Sequence, residues 1–495
     1  MFPKTKLTER IKTIRKNILS LALGEIISKI LGFLLCIVLA RHLGPKHYGM
    51  YSLALSYSVI FMVLSNFGLN TLLIKDVSRN HVIASQYLGT NLLLKIFFST
   101  ISIILLLLSL LILKYNSLTT YAILIFSISI IFSSMAETIS SYFKSIEKME
   151  YASMSIILTS ILIFVLSIFS IYLIDAGILT LISIRTLAIA VIFILIYYIL
   201  ITKFIKPDYH IKSEMYLSTI KNGLPFLTTG IIFMLFFKTD ILMLSKLATE
   251  KHIGWYTASS DLIITLFIIP SLISTAILPM LSKKYKENPK SLNTVINFSV
   301  KLLLCISIPI SFGLFFFASK IINFIYGVDY GNSVQTLQIL GLGTCITFPR
   351  EMYSTALIAC DKITSMMWIN LSALILNIIL NSLLIPKYAN NGAAIASIIS
   401  ILFIQLISYF ILIKKFNDLV LFSYYLKPIF VSLITVIILK YILPLNLIAQ
   451  SLTGILIFCM IILMIGYFNK TELSIIKSFM SFEKKVDYDE YITPK

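Results

Sequence analysis

Residues 41–51, Arg-His-Leu-Gly-Pro-Lys-His-Tyr-Gly-Met-Tyr, return at residues 246–256 as Lys-Leu-Ala-Thr-Glu-Lys-His-Ile-Gly-Trp-Tyr. The cations Arg41 and Lys246, then Lys46, His47, Gly49 and Tyr51 against Lys251, His252, Gly254 and Tyr256, keep a single offset (252 − 47 = 205). Each copy lies between two long apolar segments, so the duplicated unit is a multi-helix block rather than a short motif. In both copies a cation ends an odd-numbered apolar segment and Gly-x-Tyr opens the next. The glycine lets the chain turn closely and the tyrosine suits a membrane–water interface, which predicts a packed hairpin connector. Segments one and seven then begin on the same side. Halves of that kind are parallel repeats, related by an axis along the membrane normal and enclosing a central cavity.

Composition agrees with a membrane setting. Of 495 residues, 58% are hydrophobic and only 13% charged, and the mean hydropathy is +0.95, well outside the range of soluble domains. Runs of roughly 20 apolar residues fall at about 17–40, 48–74, 88–113, 118–141, 155–174, 178–202, 222–245, 254–281, 294–318, 333–360, 364–385, 391–413, 423–443 and 447–468. These make about fourteen transmembrane helices, the fifth and sixth divided by Asp175-Ala-Gly177. The runs are too long and too evenly apolar for barrel strands, so the fold class is all-α and polytopic. The organisation expected is a basic N-terminus (1–16), a first lobe of six helices (17–205), a cytoplasmic linker (206–221), a second lobe of six (222–415), two further helices (416–469) and a tail (470–495). In the tail, Leu473, Ile476, Phe479 and Met480 share a helical face beside Lys477, Lys484 and Lys485, the pattern of an interfacial helix.

With both termini inside, cytoplasmic segments hold about 27 of the 41 lysines and arginines and outer segments about eight. The chain is therefore expected in the cytoplasmic membrane, its basic loops facing anionic lipid head groups, and the +19 charge does not imply nucleic acid. The run from Ile18 to Ala40 is too long for the core of a signal peptide. Cys36, Cys305, Cys345, Cys360 and Cys459 are scattered singly, and no two histidines form a pair at helical spacing, so no metal site is proposed.

Several stretches carry a family resemblance. Lys29-Ile-Leu-Gly-Phe33, Leu39-Ala-Arg-His-Leu-Gly-Pro45, Tyr48-Gly-Met-Tyr-Ser-Leu-Ala54 and Asn66-Phe-Gly-Leu69 resemble the opening of the polysaccharide-biosynthesis flippases. Asn377-Ile-Ile-Leu-Asn-Ser-Leu-Leu-Ile-Pro386 and Gly392-Ala-Ala-Ile-Ala-Ser397 resemble the second half of the same family. That family moves lipid-linked oligosaccharides and belongs with the multidrug and toxin extruders and the peptidoglycan-precursor flippases. The resemblance implies two lobes in a V, alternating access, and two extra helices after a twelve-helix core.

Charges inside the spans point to a site, since each costs about 2.5–3.5 kcal/mol at a helix centre. The cations are Lys29, Lys95, Arg185, Lys238, Lys301 and Arg350, and the acids Glu25, Glu137, Asp240, Asp261 and Glu351. The slight excess of cations suits a cavity that binds a pyrophosphate head group and repels a cationic drug. Lys29, Arg185, Lys238, Arg350 and Lys301 are the candidate anion ligands; Lys95, near the end of its span, is expected to snorkel to the interface. Glu25, Asp240, Asp261 and Glu351 are candidates for ion coupling or charge pairing. Glu25 and Lys29 have the spacing of an intrahelical pair, and Asp261 is a reasonable partner for Lys238. Asn66, Asn70 and Asn377 are candidates for sugar hydroxyls, against a competing use in interhelical hydrogen bonds. Pro225, Pro270, Pro279, Pro309 and Pro349 permit kinks.

No loop exceeds about 20 residues and no Walker-type glycine loop occurs, so the expectation is a transporter, not an enzyme, with no bound cofactor. Its energy source is left open between a Na+ or H+ gradient, the membrane potential and consumption of the product. The expected partners are a polyprenyl-linked oligosaccharide, membrane lipids and other glycan-assembly proteins around a monomer. The alternative is a cation-coupled multidrug antiporter on the same fold. A membrane polymerase or ligase would be expected to show a large outer loop, which is absent.

Overall fold

The computed structural model describes residues 4–210, 213–287, 292–414, 416, 423–442, 446–469 and 472–473, and among these there is no strand. The expected amphipathic tail lies outside the described residues apart from its first turn. The helices are α1 (Lys4–Asn66), α2 (Leu69–Arg79), α3 (Ala84–Leu113), α4 (Ser117–Ser145), α5 (Met149–Ile174), α6 (Ile178–Lys203), α7 (Ser213–Leu247) and α8 (Glu250–Leu266). They continue with α9 (Ile268–Glu287), α10 (Leu292–Phe316), α11 (Ala318–Ile325), α12 (Ser333–Leu342), α13 (Thr344–Ala359), α14 (Ile363–Ile413), α15 (Ser423–Ile437) and α16 (Leu447–Met464).

Among the described residues eleven helical stretches are long and apolar enough to cross a membrane. Two of them each hold two crossings. The first, α1, breaks at Gly44 (φ 68°, ψ 170°), and Pro45, which has no N–H to donate, opens the second limb. The other, α14, breaks at Ala389 (φ 49°, ψ −125°). With α12 and α13 counted as one crossing interrupted at Gly343, the structure reaches the fourteen expected. The break in this crossing is at Gly343, while Pro349 is accommodated inside α13.

By packing the chain divides into two compact units, Met1–Ala258 and Ser259–Lys495. This division is one of contact, and it places α7 with the first unit because α7 lies along α1. In both units the outer surface is apolar, and small polar residues share the interior with an aliphatic and aromatic core. Leu111, Ile112, Tyr172 and Leu173 in the first unit, and Leu452, Ile455 and Leu456 in the second, are exposed, whereas Ser99, Ser102, Ser134 and Thr138, and Ser299, Ser307 and Ser400, are buried. Hydrocarbon solvates the leucines as well as a protein core does, so small polar residues can enter the helix–helix contacts, where they let backbones approach and, as Ser99 and Ser134 do, bond to each other across helices.

The repeated segments lie side by side in the first unit. A Cβ on Gly49 would stand 2.0 Å from the Glu250 carbonyl oxygen, and one on Gly254 would stand 1.9 Å from that of Pro45. The two glycines are thus where the two copies cross. Tyr51 and Tyr256 are buried among the helices. Tyr256 has a reason to be inside: its hydroxyl donates to Asp240 Oδ2 at 2.6 Å. The other end of the α1–α7 seam is equally close. A Cβ on Gly68 would meet Phe226 Cβ at 2.4 Å and the Gly223 oxygen at 2.9 Å.

Candidate functional site

Four helices of the first unit build a buried polar cluster. Lys95 of α3 has no exposed surface and its ammonium donates to Asn66 Oδ1 at the end of α1. The other end of that amide, Asn66 Nδ2, donates to Glu137 Oε2 of α4 at 2.8 Å, and Asn70 Nδ2 of α2 donates to the same oxygen at 3.1 Å. Ser65, Ser99 and Ser134 run beside it as a chain of hydroxyls. Lys95 does not snorkel: the Asn66 carbonyl and the nearby carboxylate supply inside the bundle what the interface would otherwise supply. The amides expected to meet sugar hold Glu137 instead.

The remaining candidates of the first unit are dispersed. Glu25 and Lys29 are both exposed, and the ion pairs of the described residues do not join them. Arg185 sits on α6 with its guanidinium 5.9 Å from the Phe126 ring centre and its Nε without a hydrogen-bond partner. Lys238 is half-buried on α7, and Asp240, only 6% exposed, takes the Tyr256 hydroxyl.

In the second unit, Asp261 is half-buried on α8. Arg350 of α13 is only 4% exposed, with its Nε unbonded and Glu351 next in sequence. Asn377 and Asn381 of α14 are buried and bonded to each other, Asn381 Nδ2 to Asn377 Oδ1 at 2.9 Å. Lys301 of α10 is committed elsewhere: its ammonium meets Glu472 Oε2 at 2.7 Å, inside a cage of Tyr424, Tyr467 and Phe468 rings. The Tyr467 hydroxyl closes the cage on the carbonyls of Lys301 and Tyr424. This is a fastening of the segment after α16 onto α10 and α15.

Chemically, then, the molecule offers an internally compensated acid–base cluster in one unit and a deeply placed arginine with an unfilled donor in the other. Glu137 is the residue whose role the sequence concealed. A signal existed: Asn66, Lys95 and Glu137 lie at similar depth from the same ends of three successive spans.

Comparison with known proteins bears on most of the chain. Residues 14–285 match the family model described as polysaccharide biosynthesis protein, and residues 225–383 match the MatE model. The capsular polysaccharide biosynthesis protein CapF of Staphylococcus aureus is 26% identical over 430 residues, covering 81% of this chain and 99% of CapF. The probable low-salt glycan biosynthesis flippase Agl15 of Haloferax volcanii is 22% identical over 162 residues, 32% of this chain and 34% of Agl15. Among solved structures, the lipid II flippase MurJ in an inward closed conformation aligns with a TM-score of 0.75 at 20% identity, over 91% of this chain and 99% of MurJ. An inward-facing multidrug resistance MATE family transporter aligns with a TM-score of 0.68 at 13% identity, over 81% and 98%. At such identities the structural likeness is one of fold.

Proposed function

Since this chain belongs to the polysaccharide biosynthesis protein family, we propose that it carries an anionic polyprenyl-(pyro)phosphate-linked oligosaccharide across the cytoplasmic membrane by alternating access. Family and fold make it a multi-pass membrane protein of the flippase class serving polysaccharide biosynthesis. The observation that carries the substrate reading is Arg350, nine-tenths and more buried with an unfilled donor. A guanidinium cannot shed its charge, and its planar fork matches a phosphate, so an anion is the natural complement to such a group. Lys29, Arg185 and Lys238 are the further ligands proposed, drawn in as the substrate moves. CapF and Agl15, by their descriptions, serve glycan synthesis, which supports a lipid-linked sugar over a free one. Lys301 is left out of this set because Glu472 already holds it. Both termini are assigned to the cytoplasm.

The MatE match over residues 225–383 favours one competing reading, a cation-coupled drug antiporter. Reconstituted protein with defined lipid-linked sugars separates the two. Arg350→Gln, Lys29→Gln, Arg185→Gln and Lys238→Gln are each expected to lower flipping per folded molecule by about 10- to 100-fold, the loss of a charge-assisted contact of about 1.5–3 kcal/mol. Unchanged flipping in all four variants would end the anion reading and favour the antiporter.

A further inference from the structure

Glu137 does more than neutralise Lys95: its single oxygen Oε2 holds both sides of a hinge. Asn66 is the last residue of α1 and Asn70 lies in the first turn of α2, and between them Phe67 (φ 46°) and Gly68 (φ 71°) both occupy the left-handed region. A non-glycine residue held there persists only where its surroundings over-determine it. The clamp Asn66–Glu137–Asn70 is one such constraint, beside the stacking of the Phe67 ring on Phe98. The same turn is where α1 meets α7, with Gly68 against Gly223 and Phe226.

We propose that Glu137 is a proton-binding site that operates this hinge: as a carboxylate it clamps the α1–α2 turn against α7, and as a carboxylic acid it releases the turn. Binding one proton converts two charge-assisted hydrogen bonds into neutral ones, roughly halving their strength, and leaves the buried Lys95 with the Asn66 carbonyl alone. The charged groups acting on Glu137 are Lys95 of α3 and Lys144 of α4 itself, while α1 and α2 face it with amides. Access exists, because Glu137 is half-buried and no donor among the described residues occupies its Oε1. The ligand is a proton and not a metal cation. The Asn66 oxygen is taken by Lys95, and that ammonium, acting on the same carboxylate, opposes a second cation there. The inference deepens the flippase reading, on which it rests only in making the proton the driving ion.

The test needs no substrate. In full-length, cysteine-free protein in liposomes, spin labels at the exposed positions Lys75→Cys of α2 and Ser218→Cys of α7 report their separation by pulsed dipolar spectroscopy. When the pH is taken from about 8 to about 5, the distance distribution is expected to shift to longer values by several ångström. Glu137→Gln should give the acid distribution at both pH values, and Glu137→Asp should keep the switch. Asn70→Ala, which retains the charge but cuts the clamp, should also resemble the acid state and serves if the glutamine variant does not fold. A pH-independent distance in the parent protein, or an intact switch in Glu137→Gln or Asn70→Ala, overturns the proposal. A distance that follows Na+ at fixed pH overturns the assignment to a proton. Absent flipping with an intact switch would count against the flippase reading and leave the hinge standing.

Discussion

Lys301 and Arg350 look alike in the sequence, each a lone cation inside a span, and the structure gives them opposite surroundings. Lys301 has a carboxylate at 2.7 Å and three aromatic rings around it; Arg350 has an unbonded Nε in a buried position. The difference predicts different phenotypes. Glu472→Gln strands the Lys301 ammonium in a low-dielectric cage, and breaking such a pair by removing one partner costs about 3–5 kcal/mol. Thermal unfolding of the detergent-solubilised protein should therefore move down by several degrees, while flipping per folded molecule stays near that of the parent. Arg350→Gln should do the reverse. Equal thermal losses in the two variants would show that Arg350 is also a packing residue. That a cation was buried could be read from the sequence in both cases. Its partner could not, because Glu472 lies 171 positions from Lys301 and only folding brings such groups together.

The helices were legible because an apolar run of roughly 20 residues leaves the backbone few other ways to satisfy its hydrogen bonds in lipid. Both internal breaks were legible as gaps between apolar runs, 41–47 with Gly44 and Pro45 and 386–390 with Ala389, although nothing in the sequence singled out the alanine as the residue that takes a positive φ. The repeated Gly49 and Gly254 were read as turn glycines, whereas the structure uses their missing side chains for contact between helices. Beside them, Lys246 lies over the Tyr115 ring and donates to the Leu113 carbonyl, Tyr115 bonds to Ser245, and Asn116 bonds to Glu250. Burial pushes the Tyr115 phenol above its ordinary range, so it serves as a neutral partner across physiological pH. Adding one methyl at the crossing should therefore wedge this end of the seam. Gly49→Ala or Gly254→Ala, placing a carbon about 2 Å from a carbonyl oxygen, is expected to cost about 1–3 kcal/mol in the closed arrangement. Spin labels at the exposed Lys46 and Lys251 should then move apart relative to the parent. An unchanged separation would mean that the seam absorbs the methyl without opening.

At the scale of the whole molecule, the exposed leucines and isoleucines define what the solvent is, and the uneven distribution of cations defines which way the chain sits in it. On the expected topology about 27 basic residues fall on one side and about eight on the other, a bias that acts during insertion and leaves no mark on internal packing. The side-by-side placement of residues 45–49 and 250–254 adds an independent constraint: both copies of the repeat must emerge on one face. If the N-terminus is cytoplasmic, that face is external, since α1 crosses once before Gly44. Topology is therefore tested at both faces at once. In intact cells, single cysteines at Lys46 and Lys251 should react with a membrane-impermeant thiol reagent. A cysteine at Lys203, at the end of α6, should react only after the cells are opened, and a reporter fused after residue 495 should be active in its cytoplasmic mode. Labelling of position 203 together with 46 would overturn the number of crossings between them. Labelling of 203 in place of both 46 and 251 would keep the fold but invert it, and the basic residues would then face the outer leaflet against their usual preference.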